Sequence, residues 1–206
     1  TRTALRAGAD FIKIATSGGI LSAVTDPRSP QFSHGELVAI VEEAHSTFKT
    51  VASHVHSRDG IMRALKAGVE SIEHGTYVDD ECIELMLKQG SFLVPTLLAS
   101  VAILEDAAEG GRMPKFAEKK ARAGIESQQQ NIGKAAKAGV KIALGTDASI
   151  GPHGSNGRGL KLLTRIGLTP MEAILAGTRT AAECLGMEDQ IGTLEVGKLA
   201  DLIMVD

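Results

Sequence analysis

The sequence predicts a parallel α/β fold, and a (β/α) barrel in preference to an open doubly wound sheet. Three observations carry that expectation. Short β-rich runs alternate with amphipathic helical patterns along the chain, which implies parallel strands joined by right-handed crossovers. Three helix-to-strand joints, KAGVESI, KQGSFLV and KAGVKIA, repeat one device, in which a glycine stops the helix and a strand begins at once. Lys13, His54, His74 and Asp147 fall within or just beyond the carboxyl ends of four different strands, the rim where a parallel barrel places its active site. The open-sheet alternative has weaker support, because SGGILS lacks the GxGxxG spacing and the next helix starts well after it.

The elements follow in order. TRTALRAGAD reads as the last turns of a helix with a glycine stop, and the first strand is expected over Phe11–Ala15. A helix over His34–Ser46 leads to a strand over Val51–Val55, a helix over Arg58–Ala67 to a strand over Ser71–Glu73, and a helix over Asp79–Gln89 to a strand over Phe92–Leu97. Pro95 cannot donate to a ladder, so it marks that strand's end or a bulge. A long helix over Pro114–Ala138 precedes a strand over Lys141–Leu144. The final helix, Pro170–Leu185, has Thr169 as N-cap, Pro170 at its first position and Gly186 just past its end. LADLIMVD reads as a closing apolar strand, and Ser17–Ser33 and Leu98–Met113 read as loops long enough to form rim contacts. Both ends of the chain look cut, as in a piece of a longer protein.

With 206 residues, 43% hydrophobic and 23% charged, the chain can bury one substantial core. A net charge of −3 without a basic run gives no reason to expect nucleic acid or an anionic membrane as partner. Cys82 and Cys184 lie in amphipathic helical patterns and outside any CxxC, so they read as small buried side chains. No signal peptide and no bilayer-length apolar run is present, which makes a cytoplasmic location the default expectation.

Each polar strand residue has two readings. Lys13, in DFIKIAT, would normally snorkel or pair with Asp10. If desolvated, it would lose its charge more easily and could form a carbamate with carbon dioxide. His54 and His74 are each either hydrogen-bonded core histidines or ligands, and Glu73 is expected to alternate to the face opposite His74. Asp147 could cap a turn. Taken together, four such groups at one rim would be costly unpaired, and imidazole and carboxylate suit a zinc-like divalent ion.

The order DFIKIATSGG, ASHVHS, SIEHGT, LGTDAS and GTLEVGKLADLIMVD resembles the metal-dependent amidohydrolase superfamily. The likeness covers essentially the whole chain and is strongest to the branch with imidazolonepropionase-like proteins and Xaa-Pro dipeptidases (prolidases). It implies a (β/α)8 TIM-type barrel of which this chain supplies strands 4–8 over residues 1–188. Residues 189–206 would begin a carboxyl-terminal β-sandwich segment. It also implies metal ligands at Lys13 (carboxylated), His54, His74 and Asp147, with two zinc ions per complete site. Asp147 would be the general base toward a metal-bound hydroxide that attacks an amide or peptide bond. His56, and His153 in SIGPHGSNG, are candidate substrate contacts; a bond to a ligand and an exposed loop position are the respective alternatives. Strands one to three and their HxH have no counterpart here.

The expected reaction is hydrolysis of dipeptides such as Xaa-Pro or of N-acyl amino acids. A cyclic-amide hydrolase or deaminase of the same superfamily, or a non-catalytic truncated remnant, are the alternatives. Open strand edges also predict association into a homo-oligomer.

Overall fold

The computed structural model describes residues 1–204. Its framework is one sheet of five parallel strands, β1 (Ile12–Ala15), β2 (Val51–Val55), β3 (Ser71–His74), β4 (Phe92–Val94) and β5 (Lys141–Ile142), in the spatial order of the chain. That order never reverses. A doubly wound sheet turns back at a switch point, whereas each crossover here advances one strand in the same direction, as barrel closure requires.

Local chemistry accounts for the joints. Helices α3 (Arg58–Ala67), α4 (Asp80–Gln89) and α6 (Lys115–Ala138) end on Gly68, Gly90 and Gly139 at φ of +97°, +72° and +96°. Only glycine takes this left-handed turn without a Cβ penalty, and each strand begins two or three residues later. At the other ends, Ser33 and Glu36 form a capping box for α2 (His34–His45), and Ser57 and Asp79 cap α3 and α4.

Strand parity separates two faces. Ile12, Val51, Val55, Ile72, Leu93 and Ile142 pack against the helices in one hydrophobic core. The alternate residues Lys13, Ala52, Ser71, Glu73, Val94 and Ala143 line a cavity of about 230 Å³ on the opposite, inner face.

Several expected boundaries change. β5, expected over Lys141–Leu144, ends at Ile142, because the Leu144 N–H turns to Ala176 O. β4 stops at Val94, because Pro95 offers no N–H and Thr96 turns to φ +45°. Leu97–Ala108, expected to end that strand and begin a loop, forms α5, whose Leu97, Leu98 and Ile103 are buried. A further helix, α7 (Arg158–Arg165), fills the stretch before Thr169. The single helix expected over Pro170–Leu185 is broken at Thr178 (φ −127°, ψ −90°) into α8 (Pro170–Gly177) and α9 (Arg179–Leu185), with Gly186 as the left-handed cap.

Beyond α9 the described residues run through turns, and Leu199–Met204 form no strand. A strand needs a ladder partner, and Leu202, Ile203 and Met204 are instead exposed. The last two positions of the expected strand, Val205 and Asp206, lie outside the described residues. Among the described residues, no helix is long and apolar enough to cross a membrane.

Candidate active site

The parallel register sets His54 beside Glu73 and Val55 beside His74. Parity sends Ala52 and His54 to the inner face and Val55 into the core. A regular β3 would send His74 into the core as well. His74 instead adopts φ +71°, a left-handed conformation that costs on the order of 1–3 kcal/mol for a residue other than glycine. That turn aims its imidazole at the inner rim. His74 and Glu73 therefore serve the same side of the sheet, contrary to the alternation expected of them, because the alternation stops at the last residue of the strand.

Three imidazoles meet there. His54 Nδ1 is 2.8 Å from His74 Nε2. His56 stacks on His74 with centroids 4.7 Å apart and an angle of 17°, and His54 stands edge-on to both. The outward nitrogens are fixed from behind: His74 Nδ1 lies 2.6 Å from Thr96 Oγ1, and His56 Nδ1 lies 2.8 Å from Thr76 Oγ1. The His56 backbone N–H donates to Ser17 Oγ at 2.8 Å, which fixes the main chain beneath the ring. Such partners orient a ligand ring and select its tautomer.

The electrostatics favour neutral rings. Burial, then the neighbouring His54, push His56 down to about 3. Burial holds His74 well below the ordinary imidazole value, with His56 and His54 adding to it. Burial followed by the Lys13 charge lowers His54. Neutral imidazole is the form that ligates metal.

The donor set fits a divalent ion. One ligand nitrogen from each of His54, His56 and His74 lies within 4.8 Å of the others. A tetrahedral ion with Zn–N near 2.0–2.1 Å separates its nitrogens by about 3.3 Å. The 2.8 Å between His54 and His74 therefore needs to open by only about half an ångström.

The remaining expected residues are less closely held. Asp147, beyond β5 at φ +53°, is exposed but lines the same rim cavity as the three histidines. Lys13 lies on the inner face below them, lining the cavity that also holds Glu73. It is exposed, so the desolvation expected of it is not supplied by this chain. His153 is exposed in the loop after Asp147 and does not line the histidine cavity.

The amidohydrolase family model matches residues 1–206. The chain belongs to the amidohydrolase family. It is 40% identical over 207 residues to ochratoxinase from Aspergillus niger, covering 100% of this chain and 42% of that protein. It is 30% identical over 174 residues to imidazolonepropionase from Rhizobium rhizogenes, covering 83% of this chain and 36% of the relative. The crystal structure of a Xaa-Pro dipeptidase with bound methionine in the active site superposes with a TM-score of 0.91 at 39% identity, over 97% of this chain and 49% of that one. The chain thus spans about half the length of the relatives it matches, or less. Its sheet of five parallel strands matches about half of an amidohydrolase TIM-type barrel.

Several groups of this amidohydrolase site escaped the sequence reading. Glu73 accepts from Ser71 Oγ at 2.8 Å, and burial raises its carboxyl above the usual range. Pairwise register, invisible in one strand alone, places it beside His54. Thr76, two residues past His74 in SIEHGT, was within reach of a motif reading. Thr96 was not, since its position depends on the turn after Pro95. Gln128 is 1% exposed; it donates to Pro95 O at 2.9 Å and to His74 O at 3.4 Å, and accepts from Ser100 Oγ at 2.9 Å. It interrupts the buried stripe Ala117, Ala121, Gly124, Ile132, Ala135 of α6. A polar residue at an apolar helical position was the signal available for it.

Proposed function

We propose that this chain carries the histidine-rich half of a metal-dependent hydrolase that cleaves C–N bonds, with dipeptides such as Xaa-Pro or N-acyl amino acids as substrates. The observation that carries this reading is the convergence of three imidazoles with Asp147 around one cavity at the carboxyl rim of a parallel sheet. The family supports hydrolysis, and the similarity to an ochratoxinase and to a Xaa-Pro dipeptidase supports an amide or peptide bond.

His54 and His74 would hold a divalent ion, with Lys13, as its carbamate, and Asp147 adding oxygen ligands. The complete site would take two zinc ions. Such metals supply Lewis acidity toward a carbonyl and lower the pKa of water. In this chain's part of the reaction, an Asp147 carboxylate oxygen accepts a proton from the attacking water and passes it to the leaving amine nitrogen. The amide C–N bond breaks as the new C–O bond completes the acid product. His56, with Nδ1 committed to Thr76, keeps Nε2 for a polar group of the substrate.

Zinc analysis of the full-length protein, followed by a screen of dipeptides, N-acyl amino acids and cyclic ureides, tests the reading. Stoichiometric zinc and turnover of the first two classes are expected. Preference for cyclic ureides would replace the substrate assignment, and full-length protein without zinc affinity would overturn the metal assignment.

A further inference from the structure

Helix α6 turns one polar stripe toward the carboxyl rim. Lys120, Gly124, Gln128 and Asn131 are spaced four, four and three residues apart, so they share one face. The three side chains of this stripe that can donate all end on main-chain carbonyls, and those carbonyls belong to three different rim segments. The Lys120 ammonium donates to Gly19 O at 3.3 Å and to Ser22 O and Thr25 O at 2.5 Å each, in the loop between β1 and α2. Gln128 Nε2 donates to Pro95 O at 2.9 Å, after β4, and to His74 O at 3.4 Å, at the end of β3. Asn131 Nδ2 donates to Thr76 O at 3.0 Å. Gly124 lets the stripe come this close, since a Cβ there would stand 3.3 Å from Thr76 Cγ2.

Each gripped segment also carries a group that fixes a histidine: Ser17 for the His56 main chain, Thr76 for the His56 ring and Thr96 for the His74 ring. Gln128 stands where this matters most. The β3–β4 register ends with Glu73 beside Val94, so the carbonyls of His74 and Pro95 lie just past the last rung. A buried carbonyl left there without a donor is costly. The two hydrogens of one amide serve both. The amide oxygen accepts from Ser100 Oγ at 2.9 Å, which fixes the way the group points. The bridged carbonyls belong to His74, at φ +71°, and to the residue before Thr96, at φ +45°. Such left-handed residues persist only where their surroundings over-determine them.

We propose that Gln128 is a positioning residue for the histidine centre: its bridge between the His74 and Pro95 carbonyls holds both left-handed turns, and with them the His74 ring. Lys120 and Asn131 fix the flanking segments from the same helix. Without the bridge the turn relaxes toward a regular strand, whose parity sends the His74 ring to the core face. For its effect on zinc the proposal rests on the metal reading above; for its effect on the main chain it does not.

The test uses full-length protein with two readouts. One is zinc affinity, measured by competition with a chromogenic chelator. The other is hydrogen exchange of the zinc-free protein, followed by mass spectrometry over residues 74–77 and 94–97. Gln128→Met keeps the length of the side chain and removes both donors. It is expected to weaken zinc binding by about 10- to 100-fold. It should also speed exchange of the Gly75 and Tyr77 amides, which donate to Val55 O and His56 O, by about 10-fold or more. Ile132→Val and Ile132→Ala are the controls. Ile132 is fully buried on the same helix, and its truncation lowers Tm through a cavity without touching a rim carbonyl. At matched loss of Tm these controls should keep the parent's zinc affinity and exchange. Equal losses in the Ile132 variants, or no change in Gln128→Met, would overturn the proposal. If Gln128→Met does not fold, Asn131→Leu at a half-buried position takes its place. It should speed Tyr77 exchange with a smaller loss of zinc affinity, and no change in either would overturn the role of the stripe. A parent protein that binds no zinc removes the metal reading. Exchange then decides alone: faster in Gln128→Met sustains the positioning role, and unchanged removes it as well.

Discussion

Two inner strands, β2 and β3, and the two outer strands, β1 and β5, build their parts of the candidate site in different ways. At the ends of β2 and β3 the histidines are buried or half-buried, each ring touches the other two, and Thr76 and Thr96 hold the outward nitrogens. On β1 and just beyond β5, Lys13 and Asp147 are exposed, with no hydrogen bond to either side chain among the described residues. The difference follows from position. β1 and β5 end the strand order, so each lacks the neighbour that a closed barrel would set against it. The imidazole part of the centre is preorganised by this chain alone, while its charged part stands on edges that only further strands could enclose.

The largest expected effect breaks the comparison on its weak side. Replacing Asp147 by asparagine in full-length protein should lower turnover by about 10²- to 10⁴-fold, the usual worth of a positioned proton carrier. Zinc content should change little, because the central histidines retain it. Turnover within a few-fold of the parent would remove Asp147 from the proposed mechanism. Loss of zinc together with turnover would show that the outer strand is as integral to metal binding as the central pair.

On the strong side, His74→Ala should weaken zinc binding by about 100-fold or more, since even the groups behind a ligand are worth 10–100-fold. Competition against a chromogenic chelator reads this without any substrate. Thr96→Val sharpens the same point. It preserves side-chain shape, removes the 2.6 Å partner of His74 Nδ1, and should reduce zinc affinity by about 10-fold. An unchanged affinity would mean that the left-handed turn at His74, and not the hydroxyl behind it, orients the ring.

The same division explains what could be read from the sequence. Strand order, the glycine joints and the caps at Ser33, Ser57, Asp79 and Thr169 depend on local chemistry, and they follow from residue types a few positions apart. The meeting of His54 and His56 at the rim follows once parallel strands are assumed, because carboxyl ends then share it, whereas His74 joins them only through its turn at φ +71°. Glu73 and Thr96 were missed for a different reason. Glu73 is placed by the cross-strand register that sets it beside His54, and Thr96 by its own positive φ, a conformation that is rare for a β-branched residue. Helix α5 was read as a loop because its face is set by packing on α6 and not by strong periodicity of its own. The break at Thr178 was hidden in the same way, inside a run of helix-forming residues.

The smallest expected effect probes whether centre and edge are coupled through α8, the second helix after β5. Thr169 Oγ1 accepts from the Glu172 N–H at 3.2 Å, and the Glu172 carboxylate accepts from the Thr169 N–H at 2.7 Å, closing a capping box on α8. Further along α8, Ala176 O accepts the Leu144 N–H at 2.8 Å, so this helix pins the chain three residues before Asp147. Thr169→Ala should cost about 1 kcal/mol of stability, the typical worth of a threonine cap, and lower Tm by roughly 2–4 °C in a domain of this size. Zinc affinity should stay unchanged, because the frayed turn lies at the edge and the imidazoles are held by Thr76, Thr96 and Gln128 at the centre. A variant that melted as expected but also lost zinc affinity would show that the outer elements transmit strain to β2 and β3, and that the centre is not preorganised independently of them.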